Sequence, residues 1–236
     1  RQVLPGMNAG FDEPGQKIPM NLRYALREAA GQAFQSDAMI GRVRARMSTG
    51  MSAREIDDTL AWLETPLGRR ITAMENETAD VAAIAKIQAY GRELERRPLP
   101  ARRAELIREL DAATGASEVN VLTTEAGILA VALGMNAAQP VQQQLRPEVL
   151  RENVKAAVPQ LRQQITDVVR MGMSYTYRRL SDQELESYLK FLKSPSGAAY
   201  SKAAVAGMTD AMLEASGRFV QVLPKAIAKH KGTAGT

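Results

Sequence analysis

The sequence predicts an all-α fold, a helical bundle made of two related helical units, and three observations lead there. Apolar residues make up 45% of the chain and aromatics only 5%, while Ala, Leu, Arg, Glu and Gln are plentiful and β-branched residues sparse. That balance favours helix over strand. From Asn21 onward, apolar residues recur at spacings of three and four, the period of one helix face. No segment alternates convincingly: Val220 and Val222 do so briefly and stop at Pro224. With 236 residues the chain is long enough to bury a core without disulfides or a structural metal.

Taken in order, residues 1–19 carry Pro5, Gly6, Gly10, Pro14, Gly15 and Pro19 and read as an extended arm. Ile71, Met74, Val81, Ile84, Ile87 and Leu94 mark one stripe of a long helix over about 68–94. Pro98 and Pro100 end it, because proline lacks an N–H and disfavours helix in the residue before it. A helix over about 101–112 ends near Gly115, and another follows over about 117–135. Residues 136–147, with two prolines and a glutamine run, form a connection. A long helical stretch covers about 148–179, with Pro159 marking a kink or break. These elements divide into an N-terminal unit over 20–97, a C-terminal unit over 98–229 and a flexible tail over 230–236.

The most informative feature is a pair of matching segments. Residues 51–68 read MSAREIDDTLAWLETPLG and residues 180–197 read LSDQELESYLKFLKSPSG, without a gap between them in register. Ser52 with Glu55, and Ser181 with Glu184, have the spacing of a capping box, in which the hydroxyl and the carboxylate each satisfy a free N–H at the helix start. Ile56, Leu60 and Leu63 share one helix face, as do Leu185, Leu189 and Leu192. Thr65-Pro66 and Ser194-Pro195 then cap and open a second helix. Gly68 and Gly197 fall in that helix's first turn, where a missing side chain lets another backbone come close. Trp62 and Phe191 occupy one position of the match and are expected to be buried alike.

The second segment resembles the bacterial family known as domain of unknown function 2059, through Ser181, Glu184, Leu185, Phe191, Ser194, Pro195 and Gly197. The basic, leucine-rich stretch from Arg102 to Thr114 and the apolar stretch from Val119 to Met135 resemble the parts that precede that motif, so the resemblance spans about 100–215. The first segment, with Ser52, Glu55, Trp62, Thr65, Pro66 and Gly68, looks like a diverged copy over about 51–75. The resemblance implies an all-α protein exported to the periplasm or beyond, and it implies no activity.

Composition excludes much chemistry. Cysteine is absent and histidine occurs once, so zinc sites built on those ligands are ruled out by count, and no cofactor is implied. His230 lies between two lysines near the chain end and reads as part of a solvated tail. Ser187 and Lys190 match the Ser-x-x-Lys spacing of acyl-enzyme hydrolases, but the accompanying motifs are missing and the pair falls within a cap-defined helix. The acid pairs, such as Glu75/Glu77 and Glu105/Glu109, are neighbours on single helices, whereas hydrolytic carboxylates must flank a bond from two sides. Arg42, Arg44 and Arg46 do not share one face, and no aromatic platform accompanies them, so nucleic acid is not an expected partner despite the net charge of +5. No run of about 18 apolar residues occurs, so no transmembrane segment is expected, and residues 126–135 read as a core helix. The expected function is non-enzymatic binding of another envelope protein or an apolar ligand. The alternative is a cell-envelope hydrolase using carboxylates or Ser187 with Lys190.

Overall fold

The computed structural model describes residues 18–80 and 82–230. Residues 1–17 of the arm predicted over 1–19, Val81 of the predicted stripe, and residues 231–236 of the predicted tail lie outside the described residues. Among the described residues the structure is all-α and contains no strand. The helices are α1 (Met20–Ala33), α2 (Ser36–Gly50), α3 (Ala53–Leu63), α4 (Pro66–Thr78), α5 (Ala83–Arg96), α6 (Ala101–Thr114), α7 (Ala116–Ala137), α8 (Pro147–Thr176), α9 (Asp182–Leu192) and α10 (Pro195–His230). A short 3-10 turn, Val141–Gln143, lies between α7 and α8.

Several boundaries differ from the sequence reading for local reasons. The single helix expected over 68–94 is two, α4 and α5. Thr78 turns its hydroxyl back onto the carbonyls of Met74 and Glu75, and the Asp80 carboxylate accepts the Ala82 N–H, so side chains replace helical hydrogen bonds at this junction. Pro159 and Pro224 both lie inside continuous helices. Around Pro224, Leu223 and Ala226 are buried, and their packing outweighs the roughly 3 kcal/mol that an interior proline costs. Gly115, at φ 67°, ends α6 in the left-handed conformation, as its position after the periodic stretch suggests.

The chain also divides by packing rather than into sequence halves at 97/98. Of the described residues, one compact unit comprises 18–42, 122–161 and 208–230, and the other comprises 43–80, 82–121 and 162–207. Both matched segments fall in the second unit, because their corners share one core.

In the first unit, Ala25, Leu26, Ala29, Ala30 and Ala33 of α1 meet Ala211, Met212, Ala215, Phe219 and Leu223 of α10. Small residues on both sides let these helices approach closely, and Phe34 and Phe219 close the end with ring centroids 6.1 Å apart. Arg218 donates from Nε and Nη2 to the Ala33 carbonyl, at 3.1 and 3.0 Å, and so satisfies the C-terminus of α1. His230 is not part of a frayed tail. It ends α10 with Nε2 2.7 Å from the Glu28 carboxylate, which Lys229 also contacts, and both contacts hold Glu28 below the usual carboxylate pKa.

In the second unit, α6 lies along α9, and Leu106, Ile107 and Leu110 share a core with Leu185, Leu189 and Leu192. Tyr175 and Tyr177 are buried here, as core packing requires. Asp111 is buried and fully engaged: its carboxylate accepts from the Ser117 N–H and hydroxyl and from Arg170 Nε, each at 2.8 Å. It thereby ties the start of α7 and the side of α8 to α6.

The α7 helix differs from the enclosed core helix that was expected. By length and composition Ala116–Ala137 is apolar enough to cross a membrane, and only 17% of its most apolar window is buried. It carries Glu118, paired with Arg162, and Glu125.

A cleft at the paired helix corners

Each matched segment builds its corner with local hydrogen bonds. Ser52 accepts from the Glu55 N–H at 3.3 Å, and the Glu55 carboxylate accepts from the Ser52 N–H at 2.7 Å. Ser181 and Glu184 repeat this at 3.3 and 2.8 Å. These bonds lower the pKa of Glu55 and Glu184, since they favour the ionised carboxylate. At the far end, the Thr65 hydroxyl donates to the Trp62 carbonyl at 2.7 Å and accepts from the Gly68 N–H at 3.0 Å. The Ser194 hydroxyl does the same with the Phe191 carbonyl at 2.6 Å and the Gly197 N–H at 3.2 Å. The carbonyl is thus turned into the corner, directly opposite the glycine. A Cβ at position 68 would lie 2.3 Å from the Trp62 oxygen, and one at 197 would lie 2.0 Å from the Phe191 oxygen. Close backbone approach, not a positive φ, selects glycine at both corners.

The two corners pack on each other through their aromatic residues. The Trp62 and Phe191 rings stack with centroids 4.0 Å apart and 6° between planes. Tyr188 continues the stack on Trp62 at 5.3 Å. The two rings are not buried alike. Phe191 is 8% exposed, whereas Trp62 is half-buried. The apolar face of α3 is only partly covered: Leu60 is 52% exposed between partly buried Ile56 and Leu63, while its counterpart Leu189 is 4% exposed.

A cleft of about 800 Å³ opens over this stack. Trp62 and Phe191 form its apolar part, α3 contributes Arg54, Glu55 and Asp58, α9 contributes Ser187 and Lys190, and the second corner adds Ser194, Pro195 and Ser196. Its carboxylates are engaged. Glu55 serves the capping box, and Asp58 accepts from the Ser196 hydroxyl at 2.9 Å with Arg54 at 4.0 Å. Ser187 and Lys190 line the same cleft, but both are exposed, and the Ser187 hydroxyl donates to the Gln183 carbonyl at 2.9 Å. Among the described residues no hydrogen bond joins Ser187 to Lys190, so no base is positioned on that hydroxyl. Among the described residues, no cluster of three or more acidic or histidine side chains is placed to hold a metal ion.

Glu75, weighed in the sequence only as one of an acid pair with Glu77, has a different setting. It is half-buried and accepts from the Tyr177 hydroxyl at 2.7 Å and the Tyr188 hydroxyl at 3.3 Å. Burial raises its pKa above the ordinary carboxylate value despite the two donors. Tyr177 and Tyr188 are raised as well, chiefly by burial and by the acid beside them. The available signal was position: Glu75 follows Ile71 by four residues and Met74 by one, so a charged residue sits on the apolar stripe of α4.

No curated protein and no solved structure gives a significant match to the chain. A family match does exist, and it covers the first corner rather than the second, on which the motif resemblance was stronger; residues 180–197 lie outside it. Residues 37–96, which hold α3, its corner and α4, match the family described as an uncharacterized protein conserved in bacteria, DUF2059.

Proposed function

We propose that this chain is a non-enzymatic binding protein of the bacterial cell envelope, which seats a segment of another envelope protein in the cleft between its two corners. The observation that carries this reading is the half-buried Trp62, stacked on Phe191 at the base of a cleft whose walls carry acid, base and hydroxyl groups. An aromatic base and a mixed polar rim suit an apolar side chain flanked by hydrogen-bonding backbone. The engaged carboxylates and the Ser187 hydroxyl bonded back to its own helix count against the hydrolase alternative. Many arginines pair with acids, as in Arg42–Glu214, Arg70–Glu184 and Arg103–Asp182, which counts against a polyanion such as nucleic acid. The two corners, alike in caps, turn and glycine, act in this reading as copies of one module. Placement outside the cytoplasm rests on the motif resemblance and is compatible with the absence of cysteine. The α7 helix is long and apolar enough to cross a membrane, and its Glu118, paired with Arg162, and its Glu125 favour a helix packed within the protein.

The test exploits the lack of cysteine. Ser187→Cys, carrying a benzophenone maleimide, is irradiated in envelope extract, with a second label at Lys155 as control. An adduct formed from position 187, absent from 155 and lost on Trp62→Ala, is expected. Equal adducts from both positions would overturn the assignment to the cleft. The sole tryptophan supplies a second readout: quenching of Trp62 by 1-anilinonaphthalene-8-sulfonate, with no protein adduct, would assign the cleft to an apolar small molecule instead.

A further inference from the structure

A second surface lies outside the cleft, on the opposite edge of α3. In the α9 segment, Leu185, Leu189 and Leu192 are covered by α6, which lays Leu106, Ile107 and Leu110 against them. Charges frame that contact. Arg103 pairs with Asp182 at 2.9 Å, Arg102 with Glu186, and Glu109 with Lys193. The α3 counterparts of the three leucines are Ile56, Leu60 and Leu63, and Leu60 is 52% exposed. The counterparts of Glu186 and Lys193 are Asp57 and Glu64. Both are exposed, both lie on the same side of Leu60 at helical spacing, and neither has an ion-pair partner among the described residues. The match therefore keeps the acid at one end of the face and reverses the sign at the other.

We propose that the Ile56–Leu60–Leu63 face of α3 docks an amphipathic helix of a partner protein. That helix carries leucine-like residues at the spacing of Leu106 and Leu110, with a basic residue at each end of the stripe. One base occupies the place of Arg102 and meets Asp57. The other occupies the place of Glu109 and meets Glu64. Charge selects this occupant over a second copy of the chain, whose own α3 would bring the same two carboxylates to the face. The surface shares neither Leu60 nor the two acids with the cleft, so this inference stands or falls separately from the cleft reading.

The probe is a fluorescein-labelled peptide with the sequence of residues 99–115, used unaltered and with Glu109→Lys, titrated against the full chain by anisotropy. The Glu109→Lys peptide is expected to bind about fivefold more tightly than the unaltered one, as an added ion pair would give. Leu60→Glu in the protein is expected to weaken binding about tenfold or more, and Glu64→Lys to reverse the order of the two peptides. Because Leu60 and Glu64 are exposed, both variants should keep the wild-type melting temperature, which circular dichroism checks. No saturation up to about 1 mM peptide, or an order of peptides unchanged by Glu64→Lys, would overturn the proposal. A dimer in light scattering that Leu60→Glu dissociates would assign the face to a second copy and overturn it as well.

Discussion

Trp62 and Phe191 lie at the same position of two matched segments, 129 residues apart, and their rings stack face to face at 4.0 Å. Each residue lies one position before the end of its helix, and its own carbonyl accepts from the hydroxyl that closes the corner, Thr65 for Trp62 and Ser194 for Phe191. The stack therefore joins the two corners at the point where both backbones are most constrained, and it forms the base of the cleft.

Substitution at the stack should separate burial from coupling. Phe191→Ala is expected to cost about 3–5 kcal/mol, as for a buried aromatic, and half-buried Trp62→Ala about 1–3 kcal/mol. The double variant should reveal a coupling of about 0.5–1.5 kcal/mol. Urea unfolding measures all three. Additive losses would mean that the rings merely neighbour one another.

The corner glycines should respond with the opposite sign to an open one. Gly68→Ala and Gly197→Ala push a Cβ onto the backbone carbonyl of Trp62 or Phe191, at distances no relaxation of a side chain can relieve. Each should lower stability by about 1–3 kcal/mol or more. A Cβ at Gly217, inside α10, meets nothing within 4 Å. Gly217→Ala should stabilise by about 0.4–1 kcal/mol through the unfolded chain. A shift of the urea midpoint to higher values for Gly197→Ala would refute the close-contact account.

Glu75 should impose a pH dependence. Its folded pKa is raised above the unfolded value near 4.5, so between those two values the folded state binds more protons than the unfolded one. Stability should fall as pH rises through that window and then level off. Glu75→Gln keeps an acceptor for Tyr177 and removes the charge. The variant should be more stable than wild type at pH 7, with the difference shrinking toward pH 4. Parallel urea midpoints for the two proteins from pH 4 to pH 7 would show that the carboxyl does not carry the effect.

Asp111 should be the most costly polar group to disturb. Arg170→Met leaves the 4%-exposed carboxylate without its cation, though the Ser117 donors remain. A loss of about 1–3 kcal/mol is expected, below that for a fully buried pair, because Arg170 is itself 38% exposed and water can partly replace it. Asp111→Asn with Arg170→Met should recover part of it, because no unpaired charge then remains. Thermal unfolding of the single and double variants checks both statements.

What the sequence by itself determined lies within about six residues of chain. The capping boxes at Ser52 and Ser181, the hydroxyl-closed corners at Thr65 and Ser194, the glycines at 68 and 197, and the end of α6 at Gly115 were all legible. Each rests on bonds or contacts between near neighbours, where residue type and spacing suffice. Tertiary structure decided which faces are covered. Leu60 and Leu189 carry the same pattern, yet only Leu189 has α6 over it, and no periodicity in α3 could show that. The same applies to Glu75, whose burial comes from Tyr177 and Tyr188 about a hundred residues away, and to His230, which leaves the expected tail because Glu28 of α1 lies against it. The helix through Pro224 persists for a related reason: burial of Leu223 and Ala226 outweighs a local preference that would have ended it. Local hydrogen bonding is set by order along the chain, whereas burial depends on which distant segment arrives, and spacing carries no record of that.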